Sequence, residues 1–223
     1  MGELINYISQ KIDEGLLNNK EGPRNYLGAS SLGTECDRQL WYSYHQPKRV
    51  NDPKKLRIFK VGHYLEPMVV DLLRKGGFTV YSENHDGSQF GFNDGKIAGH
   101  CDGVIIINDE PYLLEIKTAK STKFKEFKKM GFLHNNRYRV QVNIYMNKFR
   151  LKKCLAVVIC KDTQELYLEI IDYDQITAEH YLERGHWIAN TSNMPDRIAK
   201  TKMNFGCKYC DHYEECWNEN SST

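Results

Sequence analysis

The chain has 223 residues, of which 40% are hydrophobic, and its formal net charge at neutral pH is only +2. This length is enough for one large domain with a substantial core, or for a domain with an appended module. No run of about 18 apolar residues is present, which argues against a membrane-spanning helix. The N-terminus lacks the basic-then-apolar pattern of a signal peptide, so we expect a cytoplasmic protein.

The spacing of hydrophobic residues predicts alternating helices and strands. A helix is expected at 3–18, a Ser/Gly-rich turn and short aromatic helix at 28–45, and a helix at 56–75 that Pro67 should kink or break and Gly76-Gly77 should end. Strands are then expected at 78–82, 88–92, 96–107 and 112–118, helices at 121–130 and 135–149, strands at 154–160 and 165–171, a helix at 175–190 and an irregular tail at 194–223. This order predicts a mixed central sheet with helices on its faces.

The predicted strand at 112–118 is apolar except for two charged side chains, Glu115 and Lys117. Glu and Lys are rarely buried unless they are paired with another charge or bound to a ligand. Because residues two apart on a strand point to the same face of the sheet, these two side chains lie side by side. The strand therefore places a carboxylate and an amine together at a buried sheet surface.

A third charged residue, Asp102, belongs to the same predicted hairpin. If the turn is centred between Asn108 and Asp109, Asp102 lies directly opposite Glu115, with about 5 Å between the Cβ atoms; Pro111 could shift this register. Two adjacent carboxylates repel each other unless a cation lies between them. Hard divalent cations such as Mg²⁺ or Mn²⁺ prefer such oxygen ligands, and a structural ion pair on a surface hairpin is the alternative.

The order Asp102, then Glu115-Ile116-Lys117, resembles the signature of the PD-(D/E)xK nuclease superfamily. The resemblance implies a restriction-endonuclease-like core, in which a mixed central sheet is flanked by helices. It also implies that Asp102, Glu115 and the backbone carbonyl of Ile116 bind Mg²⁺ or Mn²⁺, while Lys117 orients water or stabilises charge on the phosphate. Cys101 stands where the superfamily usually has Pro, at a position that varies widely.

Two helical motifs extend this resemblance. Gln141 and Tyr145 lie four apart on a predicted helix and therefore share a face; RecB-like members carry a similar Gln-x-x-x-Tyr near the active site. The fourth residue after Gly62 is Glu66, which matches the extra acidic metal ligand of the first core helix. His63 is the competing candidate, because some members use His and the two residues are one helical turn apart. Ordinary polar helix positions are the alternative explanation.

Seven cysteines need an explanation other than disulfides, which are uncommon in the cytosol and cannot pair an odd number. The tail contains Cys207-x2-Cys210-x5-Cys216, a close spacing with which thiolates bind zinc or an iron–sulfur cluster. A fourth ligand is needed, and Cys36 lies outside the predicted sheet, before a helix. His212 is a candidate if the metal is zinc.

A distant N-terminal cysteine followed by a C-terminal C-x2-C-x5-C resembles the iron–sulfur nucleases. These include the CRISPR-associated RecB-like exonucleases and the nuclease domain of the AddB helicase subunit. The resemblance implies a [4Fe–4S] cluster held by Cys36, Cys207, Cys210 and Cys216, with a structural Zn²⁺ as the alternative. It also implies a bacterial, archaeal or phage-encoded protein.

The resemblance predicts one nuclease domain over residues 1–223. Its core is expected at 56–171, with cluster-binding segments at 28–46 and 194–217. The cluster would close a very long loop and fasten both ends of the chain around the core.

The charge distribution is uneven although the net charge is small. Residues 117–153 contain twelve Lys or Arg and a single carboxylate, Glu126. Such a block can hold a polyanion, or it can be a solvated helical face. Four aromatic residues in the block either stack on bases, as in single-strand binders, or pack in the core: Phe124, Phe127, Phe132 and Tyr138.

We therefore expect a divalent-metal-dependent DNA exonuclease that hydrolyses phosphodiester bonds of single strands or DNA ends. One rival is an endonuclease of the same fold. Another is a non-catalytic DNA-binding subunit of a CRISPR-adaptation or recombination complex, and a third is a zinc-stapled RNA-binding protein. The expected partner is DNA and not a membrane; a homo-oligomer or a complex with other DNA-processing proteins stays open.

Overall fold

A computed structural model of the chain describes residues 2–18 and 22–218. Its helices are α1 (Gly2–Leu17), α2 (Asp37–His45), α3 (Pro53–Lys75), α4 (Ser121–Met130), α5 (Asn136–Phe149), α6 (Gln175–Asn190), α7 (Phe205–Lys208) and α8 (Tyr213–Asn218). Its strands are β1 (Leu27–Gly28), β2 (Thr79–Tyr81), β3 (Gly91–Asn93), β4 (Ile97–His100), β5 (Gly103–Ile107), β6 (Glu110–Ala119), β7 (Lys153–Cys160) and β8 (Leu166–Asp172). Within these described stretches, every helix is too short or too polar to cross a bilayer.

Five strands form the central sheet in the order β2-β5-β6-β7-β8. β6 and β7 are parallel, while the other neighbouring pairs are antiparallel. A parallel pair needs a long crossover connection, and here α4 and α5 supply it. A smaller sheet has the order β1-β4-β3. The predicted mixed α/β architecture is thus confirmed.

The central sheet is covered on both faces. On one face, Leu114 and Ile116 of β6 pack in a core cluster with Val69 and Val70 of α3. Leu113, which points the other way, belongs to a larger cluster with side chains of α4, α5 and α6. β6 therefore lies at the centre of the molecule, and a charged side chain in the middle of this strand, such as Glu115, is buried.

Helix α3 runs without interruption through Pro67, so the predicted break is absent. A proline inside a helix removes one backbone hydrogen bond. The helix is stabilised elsewhere, by an N-terminal cap and by the packing of its buried face. Asp52 caps the N-terminus, and Val69 and Val70 are buried against the sheet. The helix ends at the predicted glycine pair, where Gly77 has a φ of +91°.

The strand predicted at 96–107 is in fact two strands, β4 and β5, which belong to different sheets. The chain bends at Cys101 and Asp102, and Gly103 then has a φ of +155°. A Cβ atom at Gly103 would lie 2.5 Å from the backbone oxygen of Tyr81 on β2. A glycine is therefore required where the chain leaves the small sheet and joins the central one.

The hairpin of β5 and β6 has the predicted register. Gly103 pairs with Leu114 at its open end. Asn108 and Asp109 form the turn with φ values of +52° and +63°, as a two-residue type I′ turn requires. Pro111 pairs with Ile106 inside the ladder, and the predicted register is unchanged on both sides of this proline.

The tail packs back against the N-terminal part of the chain. Lys55 Nζ lies 2.5 Å from Asp211 Oδ1, and Lys48 pairs with Glu215. The tail was predicted to be irregular, but α7 and α8 lie within it. Residues 219–223 of that prediction lie outside the described residues.

Replacing Gly103 with Ala tests the bend. We expect Gly103→Ala to lower the free energy of unfolding by about 2 kcal/mol, because the new Cβ meets the Tyr81 carbonyl and the φ value is unfavourable. Urea denaturation followed by circular dichroism measures this. The matched control is Gly15→Ala in α1, which has open space around it and should gain up to about 1 kcal/mol. Equal stability of Gly103→Ala and the wild type would contradict the interpretation.

Candidate active site

Asp102 lies at the bend between β4 and β5. Its Oδ2 accepts a hydrogen bond of 2.6 Å from the backbone amide of Ile116, so the carboxylate is held against the middle of β6. The strand ladder begins only at Gly103. The sequence predicted that Asp102 pairs with Glu115 in the ladder, and this is wrong, because Asp102 lies one residue before the ladder begins. Its carboxylate nevertheless reaches the middle of β6.

Glu115 is the most deeply buried charged residue of the site. Only 1% of its surface is exposed, because β6 is the middle strand and α5 covers this face of the sheet. Its Oε1 forms an ion pair with Lys117 Nζ. Its Oε2 has no hydrogen-bond donor among the described residues. A buried carboxylate oxygen without a donor is costly and indicates a missing positive partner.

Lys117 lies beside Glu115, as the two-residue spacing on the strand predicted. Its side chain is about one fifth exposed, at 21%, so solvent reaches part of Lys117. On its other side, Nζ lies 5.2 Å from the centre of the Tyr138 ring. The side chain is thus held between a carboxylate and an aromatic ring.

The site holds more negative than positive charge. Burial raises the pKa of Asp102 well above its usual range, and the nearby Glu115 raises it further. Burial also raises the pKa of Glu115, although Lys117 opposes this. Burial lowers the pKa of Lys117, but the two carboxylates more than offset it, so this pKa is raised and the ammonium stays charged. One ammonium cannot balance two carboxylates.

Glu66 on α3 adds to this negative charge. Its carboxylate raises the pKa of both Asp102 and Glu115, so it lies near enough to act on them. Its side chain is 30% exposed, whereas that of His63 is 76% exposed and lies 3.6 Å from Glu66 Oε2. The geometry favours Glu66 over His63 as the predicted extra ligand.

Gln141 and Tyr145 are brought to the site by α5, and both are buried. Their side chains form a hydrogen bond, and the pKa of Tyr145 is raised by burial and by Glu115. Gly99 makes room for this tyrosine, because a Cβ there would lie 2.8 Å from the Tyr145 hydroxyl. The predicted pair thus shares a helix face near the carboxylates, and Gly99 is a supporting residue that the sequence did not reveal.

The aromatic residues of the basic block have different roles. Phe124, Phe127 and Phe132 are buried, so they pack in the core and cannot stack on bases. Tyr138 is half-buried and lies beside Lys117. The sequence contained a signal that Tyr138 lies near the site. Tyr138 precedes Gln141 by three residues, so the two side chains share a face of the helix.

The acidic residues suit a hard divalent cation. Asp102, Glu115 and Glu66 supply carboxylate oxygens, one buried oxygen has no donor, and one ammonium leaves negative charge uncompensated. No three His, Cys, Asp or Glu side chains in the described residues are grouped tightly enough to enclose an ion as they stand. Glu66 would therefore have to close on the other two carboxylates, or a backbone carbonyl such as that of Ile116 would have to complete the ligand set.

The four predicted cluster cysteines line one cavity of about 670 Å³ between α2, α5 and the tail. The pKa of Cys207 is raised by burial and by its proximity to Cys36, and the pKa of Cys210 by burial, Cys36 and Cys216. The thiols thus lie within electrostatic reach of one another. This donor set suits a soft metal centre, although the thiols do not form a closed cage. His212, the zinc alternative, lines the same cavity.

The three other cysteines are buried. Cys154 and Cys160 are on β7, as small core residues. Cys101 lies beside the acidic site, where burial, Glu115 and Asp102 raise its pKa to about 12. Its thiol therefore stays protonated at neutral pH.

Comparison with known proteins identifies the fold. No family model and no curated protein matches the chain. Among solved structures, the alkaline exonuclease LHK-Exo from Laribacter hongkongensis matches with a TM-score of 0.51 and 16% identity, over 80% of this chain and 90% of that chain. Its complex with dAMP matches over the same shares with a TM-score of 0.50 and 14% identity. The crystal structure of SSO0001 matches over 91% of this chain and 93% of that chain, with a TM-score of 0.49 and 20% identity.

At these identities the likeness shows the fold alone. The chain has a mixed α/β, nuclease-like fold, which it shares with LHK-Exo.

Replacing Asp102 with Asn tests the electrostatics of the site. The change keeps an acceptor for the Ile116 amide but removes a buried charge. Because the pKa of Asp102 is raised on folding, its charge destabilises the folded state above that pKa, and this penalty disappears as the carboxyl gains a proton at lower pH. In EDTA, Asp102→Asn should therefore raise the thermal midpoint by a few degrees at mildly alkaline pH, and by less as the pH falls.

The control for this measurement is Asp86→Asn. Asp86 is exposed, and its hydrogen bonds with Ser88 lower its pKa, so this variant should not be more stable than the wild type. If both variants raised the midpoint equally, a general charge effect would replace the local explanation.

Proposed function

We propose that this protein is a divalent-metal-dependent deoxyribonuclease that acts as an exonuclease on single strands or DNA ends. The observation that carries the proposal is the buried carboxylate pair of Asp102 and Glu115, with an unpartnered Glu115 oxygen, beside the ammonium of Lys117. This combination supports phosphodiester hydrolysis, because a phosphate needs cations on one side and an activated water on the other.

The metal-binding residues would be Glu66, Asp102, Glu115 and the carbonyl of Ile116. A Mg²⁺ or Mn²⁺ ion bound there supplies positive charge to the scissile phosphate and lowers the pKa of a water molecule. Lys117, whose side chain is partly exposed, would orient a water molecule beside the phosphate or stabilise negative charge that develops on the phosphate.

Further residues shape the site around these groups. Gln141 and Tyr145 form a hydrogen-bonded pair near the carboxylates, and in the proposed reaction they position the ends of the substrate. Lys125, Lys129 and Arg137 are exposed cations without an ion pair among the described residues, and they would bind the DNA backbone without reading its sequence.

The comparisons support exonuclease action more than another activity. LHK-Exo, which shares the fold, is an alkaline exonuclease, and it has been crystallised with dAMP. The same-fold endonuclease is the second candidate, since the fold alone does not fix where a strand is cut. The surface lysines also fit a DNA-binding subunit that works in a CRISPR-adaptation or recombination complex without cutting.

We also propose that Cys36, Cys207, Cys210 and Cys216 hold a [4Fe–4S] cluster. The shared cavity and the soft donor set support this proposal. A cluster would add a covalent link between the N-terminal segment and the tail, which are also joined by the stacked rings of Tyr42 and His212 and by exposed ion pairs of small energetic value.

Labelled DNA tests the nuclease proposal. With Mg²⁺ or Mn²⁺, the wild type should shorten single strands labelled at the 5′ or 3′ end, and EDTA should stop it. Asp102→Asn, Glu115→Gln and Lys117→Ala should each lower the rate by about 100-fold or more. Glu66→Gln should lower it by about 10- to 100-fold, because Glu66 completes a site whose other ligands remain.

Two controls with matched charge changes accompany these variants. Asp86→Asn removes an exposed carboxylate, and Lys153→Ala removes a lysine that pairs with Glu110 on the sheet; both should keep the wild-type rate. Cutting of closed circular single strands would replace the exonuclease proposal with the endonuclease. Metal-independent cutting, or full activity of both Asp102→Asn and Lys117→Ala, would leave the non-catalytic DNA-binding role.

Metal analysis tests the cluster proposal. Protein purified without oxygen should be brown, absorb in the near-visible region and contain iron and sulfide. Cys36→Ser and Cys210→Ser should lose the colour and the iron, because each removes a thiolate ligand. Cys160→Ala, a buried cysteine of β7, should keep both. Colourless protein that contains one zinc would identify the zinc alternative.

A further inference from the structure

Lys117 has two contacts that hold its ammonium in place. One is the ion pair with Glu115, and the other is the ring of Tyr138, whose centre is 5.2 Å from Nζ. A cation over an aromatic face is attracted by the negative charge density of the ring. Tyr138 has no role in the signatures that pointed to the carboxylates, the lysine or the Gln141–Tyr145 pair.

The Tyr138 ring is itself held rigidly. It stacks on Phe132 with 5.3 Å between ring centres and on Phe127 with 6.0 Å, and both phenylalanines are buried. It lies in the first turn of α5, which Asn135 caps by accepting hydrogen bonds from the backbone amides of Arg137 and Tyr138. A rigid ring at the edge of the core can fix the position of a flexible lysine side chain.

The two contacts of Lys117 are not equivalent in the proposed reaction. The carboxylate of Glu115 is also a proposed metal ligand, so a bound cation competes with Lys117 for the same oxygens. The ring of Tyr138 is neutral and is not a ligand for a hard cation. It therefore keeps its attraction for the ammonium when that of Glu115 is reduced.

We infer that Tyr138 is a positioning residue, which holds the Lys117 ammonium at the mouth of the site. This inference rests on the proposed nuclease function, because Lys117 acts on the substrate and Tyr138 acts through Lys117. The ring provides the contact and not the hydroxyl, which has no hydrogen-bond partner in the described part of the chain. Phenylalanine should thus replace tyrosine at position 138, whereas an aliphatic residue should not.

Three variants test the inference on DNA cleavage. Tyr138→Phe keeps the ring. Tyr138→Leu and Tyr138→Met each replace the ring with an aliphatic side chain, of which Met is the more flexible. Both aliphatic variants should lower kcat by between about 2-fold and 30-fold, the range of a partly buried cation–π contact, with little change in KM for the DNA. Tyr138→Phe should retain the wild-type kcat.

Tyr167→Leu is the matched control. Tyr167 belongs to the same aromatic cluster, with its ring 6.4 Å from that of Phe127, and its hydroxyl donates a hydrogen bond to Glu169. Removing it disturbs the cluster without touching Lys117. It should lower the thermal midpoint at least as much as Tyr138→Leu but leave kcat unchanged.

A second measurement does not depend on nuclease activity. An amine-reactive reagent is applied briefly at one pH, and mass spectrometry gives the labelling rate of Lys117 relative to the exposed Lys125. The rate should be low in the wild type, Tyr138→Phe and Tyr167→Leu, and it should rise severalfold in Tyr138→Leu and Tyr138→Met, because the ammonium is no longer held.

The two measurements separate the possible failures. If the wild type does not cut DNA, the proposed function fails, and labelling alone decides whether Tyr138 holds Lys117. If Lys117 labelling is the same in the aliphatic variants as in the wild type, the inference is overturned whatever the activity. A kcat loss in Tyr167→Leu equal to that in Tyr138→Leu would also overturn it, since cluster stability would then explain both.

Discussion

The structure depends on an unequal balance of buried charge at the centre of its main sheet. Asp102 and Glu115 place two carboxylates where burial disfavours their ionised forms, and Lys117 offers one ammonium in return. Such an arrangement costs stability in the protein alone, because the desolvation of buried charges is repaid only by full pairing. A site kept at this cost suits a cation-binding function, which is why the charge imbalance carries the functional proposal more strongly than the fold does.

The surrounding elements serve to hold these three groups in place. The Asn108-Asp109 turn sets the register of the hairpin, and Gly103 bends the chain so that Asp102 meets the amide of Ile116. Helix α5 closes the opposite side with a row of polar and aromatic side chains on one face. The α4–α5 crossover that delivers this row is also what allows β6 and β7 to be parallel. The same connection thus joins two parallel strands and supplies the side chains of one wall of the site.

The shared cavity of the cysteines lies apart from the carboxylates and has a different character. Its thiols come from the start of α2 and from the tail, so anything bound there joins distant parts of the chain. The N-terminal segment and the tail are also held by exposed ion pairs such as Lys48–Glu215 and Lys55–Asp211, which contribute little, and by the buried ring of His212, which stacks on Tyr42. A soft metal centre there would add to stability, while the proposed hard-cation site would act on chemistry.

The sequence by itself determined the order of helices and strands, the hairpin register and the identity of the charged residues, because strand periodicity, turn chemistry and helix spacing are local properties. It did not show that the strand predicted at 96–107 divides between two sheets, since that depends on the approach of Tyr81 to Gly103. Nor did it assign roles to the aromatic residues, because burial of Phe127 and the contact of Tyr138 with Lys117 arise from elements distant in the chain. Only the tertiary structure decided these points, because only packing sets which side chains lose their water and which remain free to act.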